Sequence, residues 1–125
     1  LMATNPLKTV KDINNVIKIL LKHKADSVIA VNQLSDHHPA RIKKIINNKL
    51  YDFSVKEKLE SRRQDLEPKA YIRSGSIYAM SRKFVMQEKR YYSGKRFAYV
   101  LPSERTINID DKNDLLIAKI KIKNI

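Results

Sequence analysis

Four consecutive apolar residues, three of them β-branched, constrain the fold of this 125-residue chain more than any other feature: Val28-Ile29-Ala30-Val31. A run with no polar side fits a strand covered on both faces. Ahead of it, Thr9 and Asp12 have the spacing of a capping box, and Ile13, Val16, Ile17, Leu20 and Leu21 recur along one helical face. The pattern predicts an amphipathic helix over residues 10–24, with Asp26-Ser27 as the turn that follows. A helix feeding a buried strand implies an α/β fold. The opening Leu1–Pro6 reads as the end of a further strand running into a loop, because Pro6 pushes Asn5 into extended geometry.

From Asp36 to about Glu67 apolar residues thin out and short alternating stretches such as Arg41–Ile46 take over. Asn47-Asn48 is read as a hairpin turn, and the strands around it are expected to be exposed on one face and to seek a partner. Residues 70–79 read as a strand interrupted by Ser74-Gly75-Ser76. Ser81 is placed to cap a short helix reaching about Glu88, and Phe97–Leu101 forms a strand ended by Pro102. Asp111-x-x-Asp114 starts another helix through Leu115, Leu116 and Ala118. Ile120-Lys121-Ile122-Lys123 alternates with period two and leaves the type of the last element open. Neither an internal repeat nor a low-complexity linker is visible.

Composition narrows the function classes. Hydrophobic residues make up 42% and charged residues 31% of the chain, which suits a globular protein rather than a disordered polyelectrolyte. The apolar runs fall far short of the ~20 residues that cross a bilayer, and no signal-peptide pattern opens the chain. With no cysteine there is no disulfide framework and no thiolate metal site, so a cytoplasmic location is expected. Twenty-six Lys and Arg against 13 Asp and Glu give a net charge of +13. Such an excess favours anionic partners: nucleic acid, acidic lipid, nucleotides or acidic sugars. Eighteen of the cations are lysines, and a biased genomic base composition would produce the same excess.

Several motifs carry chemistry. Asn108 and Asp110 are two apart ahead of a predicted helix, so an extended segment points both to one side, where their oxygens could hold Mg²⁺. Helix capping by Asp110 or Asp111 accounts for the same acids without a metal. His37-His38-Pro39 invites a metal or acid-base role, but adjacent histidines diverge and no third ligand is near in sequence; a loop before proline is simpler. The two glycines build neither a nucleophile elbow nor a phosphate-cradling loop. Lys89–Phe97 interleaves cations with aromatics, and Arg90, Tyr91, Tyr92 and Arg96 could stack bases and bind phosphates; a solvated basic face or an interface loop is the other reading. Arg62-Arg63-Gln64 offers guanidinium forks suited to a planar carboxylate.

Taken in order, Thr4-Asn5-Pro6-Leu7-Lys8-Thr9 with Asp12-Ile13, Ala25–Val28, His37-His38-Pro39, Arg62–Leu66, Ser74–Tyr78 and Ile107–Asp111 with Asp114-Leu115 resemble the acylneuraminate cytidylyltransferases, or CMP-sialic acid synthetases, in their C-terminal portion. The resemblance implies an enzyme that joins CTP to an acidic nine-carbon sugar, a nonulosonic acid, and releases pyrophosphate. It implies an α/β fold: part of a Rossmann-like, three-layer nucleotidyltransferase sheet carrying an inserted small β-rich dimerisation region. Residues 1–36 would be partial catalytic core, 37–78 the inserted dimerisation and sugar-binding region, and 79–125 the return to the core with the metal-binding segment.

By the same resemblance, Arg41, Arg63, Gln64, Ser74 and Tyr78 surround the sugar acid, and Tyr91 and Tyr92 lie at a site shared between the subunits of a homodimer. Asn108 and Asp110 take the Asp-x-Asp positions that bind the Mg²⁺ cofactor, with Asp110 the catalytic residue. Met2 stands where the family has a sugar-contacting Gln, and Lys8 replaces an Arg. The nucleotide loop that the family builds near its N-terminus has no counterpart among these residues, so the chain alone is expected to be inactive. Two other function classes stand beside this one: a basic nucleic-acid-binding module, for which no recognised motif speaks, and a catalytically silent remnant that only dimerises.

Overall fold

The structure, a computed structural model, describes residues 1–34, 36–57, 62–88 and 94–123. It is a mixed α/β fold. Among the described residues the elements run α1 (Val10–Lys22), β1 (Ser27–Gln33), β2 (Lys43–Ile46), β3 (Lys49–Asp52), β4 (Tyr71–Met80), α2 (Arg82–Glu88), β5 (Arg96–Val100) and α3 (Lys112–Ile122). The chain divides into two compact units, a larger one of Leu1–Asn32 with Arg73–Ile125 and a smaller one of Gln33–Ile72.

In the larger unit α1 starts as its sequence dictates. Thr9 accepts from the Asp12 N–H, and the Asp12 carboxylate reaches back to the Thr9 N–H at 2.8 Å, a complete capping box. The helix stops at Lys22, two residues before the expected end. Lys24 takes a φ of +46°, and Lys24 and Ala25 donate to Leu21 and Leu20, a Schellman closure. Val16 is fully buried, with Ile13, Ile19 and Leu20 packed around the core, whereas Ile17 and Leu21 are exposed. The apolar stripe is therefore only partly covered.

The three-stranded sheet has the order β4-β1-β5, with β1 parallel to β5 from the pair Ser27–Arg96 to the pair Val31–Val100. Central β1 is buried from Ser27 to Ala30, as its unbroken apolar run predicts. Strand β4 differs from expectation: Ser74-Gly75-Ser76 does not interrupt it. Gly75 takes a φ of +71° inside the strand, the Ser74 hydroxyl accepts from Ser76 N–H and donates to the Ala30 carbonyl, and so the backbone turns without losing its partners. Leu1–Pro6 is not a strand end either. Asn5 N–H bonds back to Met2 O, and the Lys8 ammonium donates to the carbonyls of Met2 and Asn5, closing turns. Burial in this loop pushes the Lys8 pKa down.

Asp12 does more than cap. Its side chain is buried and also receives the Tyr99 hydroxyl at 2.8 Å and Arg105 Nη2 at 2.6 Å, tying α1 to β5 and to the turn Ser103–Arg105. Burial alone would raise the Asp12 pKa. The bonds from the Thr9 N–H and hydroxyl, from Arg105 and from Tyr99 overcome this and hold it at about 2. Burial and the Asp12 charge push the Tyr99 phenol up. Helix α2 starts where Ser81 accepts from Phe84 N–H, as predicted. The last element is a helix throughout: the Asp111/Asp114 capping box starts α3, and Lys121 Nζ anchors it to the carbonyls of Ser103 and Thr106. The period-two pattern at its end carries no strand. No helix among the described residues is long and apolar enough to cross a membrane.

In the smaller unit β2 and β3 form an antiparallel hairpin in which Ile46 faces Lys49. Asn47 and Asn48, with φ of +50° and +62°, make the turn, as predicted. Ile45, Ile46, Leu50, Tyr51 and Phe53 are all exposed; by the register Ile45 and Leu50 share one face while Ile46 and Tyr51 lie on the other, so the hairpin is exposed on both faces rather than on the one expected.

Candidate functional site

The smaller unit contains a cleft of about 520 Å³ whose lining includes Gln33, His38, Arg63, Gln64, Leu66 and Lys69. Its walls are held by the backbone bond from Leu34 N–H to Ala70 O and by His38. The buried His38 ring accepts from Ala40 N–H through Nδ1, so Nε2 carries the proton it donates to Pro68 O at 2.9 Å. Both ring nitrogens are thus committed to the scaffold. His38 is a strut and a cap for the turn Pro39–Arg41, not a metal ligand.

Arg63 and Gln64 sit together on the short turn Arg63–Asp65, braced by the Arg62–Asp65 ion pair at 2.9 Å. Arg63 Nη1 lies 2.5 Å from Asp36, and both side chains are about half exposed. An exposed pair of this kind contributes roughly 0–1 kcal/mol, so an incoming carboxylate can compete for the guanidinium. Two cations and two amides around apolar Leu66 and Ala70 suit an anionic, hydroxyl-rich ligand. Arg41 is not part of this lining. It lies 3.7 Å from Glu57, which also holds Lys43 at 2.9 Å. Bonds from Asp52 and then Glu57 raise the Lys43 pKa. Gln33 and Lys69, which line the cleft, come from the end of β1 and the approach to β4; no spacing in the sequence brings them together.

The larger unit holds the other predicted residues. The Ser74 hydroxyl is committed between Ala30 O and Ser76 N–H, and Tyr78 is half-buried on β4. Asn108 and Asp110 face one side of the segment before α3, with the Asn108 amide 2.5 Å from the Asp110 carboxylate. Capping falls to Asp111, whose carboxylate receives the N–H groups of Asn113 and Asp114, and Asp110 is left outside the cap. Among the described residues no group of three or more His, Cys, Asp or Glu side chains is arranged to hold a metal. Any cation at Asn108 and Asp110 would therefore draw its remaining ligands from water or substrate.

The aromatic-basic stretch is described only from Gly94 onward. Phe97 stacks on His23 at 4.4 Å, while the Lys95 backbone N–H donates to Asp26 and its ammonium to His23 O. These two side chains are engaged within the larger unit. Arg90, Tyr91 and Tyr92 lie outside the described residues.

No protein-family profile matches the chain. Among curated proteins it is similar to the N-acylneuraminate cytidylyltransferases of Streptococcus agalactiae serotype V and serotype III, each 23% identical over 116 residues. The match covers 93% of this chain, and the chain spans about 28% of the length of these relatives. The distant likeness is thus to cytidylyltransferases, and it extends along nearly all of the chain.

Proposed function

We propose that this chain carries the acid-sugar-recognising and metal-binding portion of a cytidylyltransferase that transfers CMP from CTP to an N-acylneuraminate-like nonulosonic acid and releases pyrophosphate. The observation that carries the reading is the cleft of the smaller unit, where Arg63, Gln64 and Lys69 converge in a chain similar to enzymes named for a carboxylate sugar. Arg63 would grip the carboxylate with paired N–H bonds, Lys69 would add charge, and Gln64 would take hydroxyls. Arg41 would act from beside the cleft. Ser74 and Tyr78, in the larger unit, are assigned to sugar recognition by the family resemblance alone; the Ser74 hydroxyl holds β4 to β1.

Asn108 and Asp110 would hold Mg²⁺, which takes one or two protein oxygens and completes its shell with water and phosphate; the Asn108 amide, which donates to the Asp110 carboxylate here, would have to turn its oxygen to the ion. The Asp110 carboxylate is outside the helix cap and exposed, so it is available. When bound there, the ion supplies charge neutralisation for phosphate oxygens. The chain's own part is to hold the sugar hydroxyl in line with the α-phosphate, and such positioning contributes much of the rate in phosphoryl-type transfer. We assign the sheet to part of a Rossmann-like three-layer core in a cytoplasmic enzyme. The inserted hairpin, with Ile45, Leu50 and Phe53 exposed, is assigned to a homodimer interface in which Tyr91 and Tyr92 reach a shared site. CTP recognition is assigned to no residue of this chain.

Calorimetric titration with N-acetylneuraminate tests the cleft. Saturable binding that weakens at least about tenfold in Arg63→Ala, with no binding of a neutral hexose, is expected. Equal affinity of the wild type and Arg63→Ala would refute the assignment. In the full-length gene product, release of pyrophosphate from CTP should require the sugar acid and should fall by orders of magnitude in Asp110→Ala.

A further inference from the structure

Asp26 draws three separate stretches of the chain to one end of the larger unit. Its N–H donates to the Lys95 carbonyl and its carboxylate accepts the Lys95 N–H, which sets the start of β5 beside the start of β1, and its carbonyl accepts from Ser81 N–H at the head of α2. The end of α1 joins them, because the Lys95 ammonium reaches the His23 carbonyl at 2.8 Å and the His23 ring stacks on Phe97. Six cations are gathered in this way: Lys22 and Lys24 at the end of α1, Arg82 and Lys83 on α2, and Lys95 and Arg96 at the start of β5. All six are exposed, and none takes part in an ion pair among the described residues. Asp26 is the one carboxylate among the described side chains of these stretches, and it is already held by the Lys95 N–H. The whole chain carries 26 cations to 13 acids, so a compositional bias spread evenly does not produce this end.

Large aliphatic side chains stand among the charges. Met86 follows Arg82 and Lys83 by four and three residues, so the three share one face of α2, turned away from the buried Phe84, and Met86 is 65% exposed. Leu21, 70% exposed, adjoins Lys22. Cations alone suit any polyanion. Cations beside uncovered aliphatic side chains suit an anionic lipid surface, which takes the charges at its headgroups and the apolar tips at the acyl boundary. A nucleic-acid strand would use the charges and leave Leu21 and Met86 in water, and Phe97, the aromatic described here, is stacked on His23 rather than open to a base. Parallel β1 and β5 both start at this end, so a surface bound here leaves free the carboxyl ends of the strands, where open α/β sheets take their ligands.

We propose that this end of the larger unit docks reversibly on a lipid surface with anionic headgroups, the six cations lying at the phosphates and Leu21 and Met86 inserted between them. No residue of the sugar cleft or of the metal segment takes part.

Flotation of the 125-residue chain with lipid vesicles tests it. At about 0.1 M salt the chain should bind phosphatidylcholine vesicles that contain phosphatidylglycerol, release them as salt rises, and ignore pure phosphatidylcholine. Lys22→Gln, Arg82→Gln and Lys83→Gln together should weaken binding roughly a hundredfold, at about fivefold for each cation removed from the surface. Lys112→Gln, Lys119→Gln and Lys123→Gln on α3, which Lys121 anchors beyond the far end of β5, remove the same charge and should change binding by no more than about twofold. Met86→Ser should weaken it about fivefold at low and raised salt alike, because the apolar contribution is not screened. Equal losses in the two triple variants would reduce the effect to net charge and overturn the docking surface. Tighter binding of an oligothymidine than of anionic vesicles, lost in the first triple variant and untouched by Met86→Ser, would give the same cations to nucleic acid and overturn the lipid reading. So would an absence of binding to anionic vesicles.

Discussion

Replacing Asp12 by Asn changes one atom of a side chain whose two oxygens meet only donors: the Thr9 N–H and hydroxyl at one, Tyr99 and Arg105 at the other. An amide must turn its nitrogen against one of these pairs, and it leaves Arg105, whose Nε is already buried without a partner, with no counter-charge at Asp12. Breaking a buried ion pair from one side costs about 3–5 kcal/mol, so a loss near 3 kcal/mol and a Tm lower by about 10 °C are expected. The pKa provides a second, independent measure. A carboxyl at 3.8 when unfolded and about 2 when folded contributes about 2 kcal/mol. Because the folded value is the lower one, that contribution is complete above about pH 4 and disappears as pH falls toward 2. Urea unfolding of both proteins between pH 7 and pH 2.5 should therefore show the gap between wild type and Asp12→Asn nearly constant down to about pH 4 and narrowing by about 1.4 kcal/mol from there to pH 2.5. Taking the difference cancels the other carboxyls. A gap that does not change with pH would mean that the Asp12 charge stabilises nothing.

Asp110 and Asp111 should separate cleanly: Asp111→Ala loses the α3 cap and about 1 kcal/mol of stability, while Asp110→Ala stays within about 0.5 kcal/mol of wild type and loses Mg²⁺ binding, as urea melts and calorimetry will show. Asp36→Asn, which removes the competitor for Arg63, should tighten N-acetylneuraminate binding about two- to fivefold, an effect absent in the Arg63→Ala background. Gly94→Ala should cost about 1–3 kcal/mol, because Gly94 has a φ of +73° and a Cβ there would sit 2.5 Å from Asp26 Oδ2; unchanged unfolding would show that the Asp26 contact yields freely.

Local codes in the chain were legible because their physics is local. Thr9 with Asp12, Ser81, Asp111 with Asp114 and Asn47-Asn48 each act within a few residues, and each builds the cap or turn its spacing announces. Burial of β1 was equally legible, since an unbroken apolar run leaves no face for water. Strand β4 was misread at Ser74-Gly75-Ser76 because the Ser74 hydroxyl that steadies the backbone there donates to the carbonyl of Ala30, 44 positions away. Leu1–Pro6 was misread because Lys8 and Asn108 decide its shape. At the candidate site, Arg63 and Gln64 were found as neighbours in sequence, while Gln33 and Lys69 reached the same cleft only through folding.

By itself, then, the sequence determined the α/β class, the starts of the helices, the hairpin turn and the excess of positive charge, all of which follow from spacing and composition. Tertiary structure alone decided that Asp12 serves Tyr99 and Arg105 as well as its own helix, that the Ser74 hydroxyl goes to the Ala30 carbonyl, and that Lys121 ties α3 to the carbonyls of Ser103 and Thr106. These are competitions among polar groups far apart in the chain for a limited number of partners. Their outcome depends on which group loses water, and burial is a property of the fold rather than of any short segment.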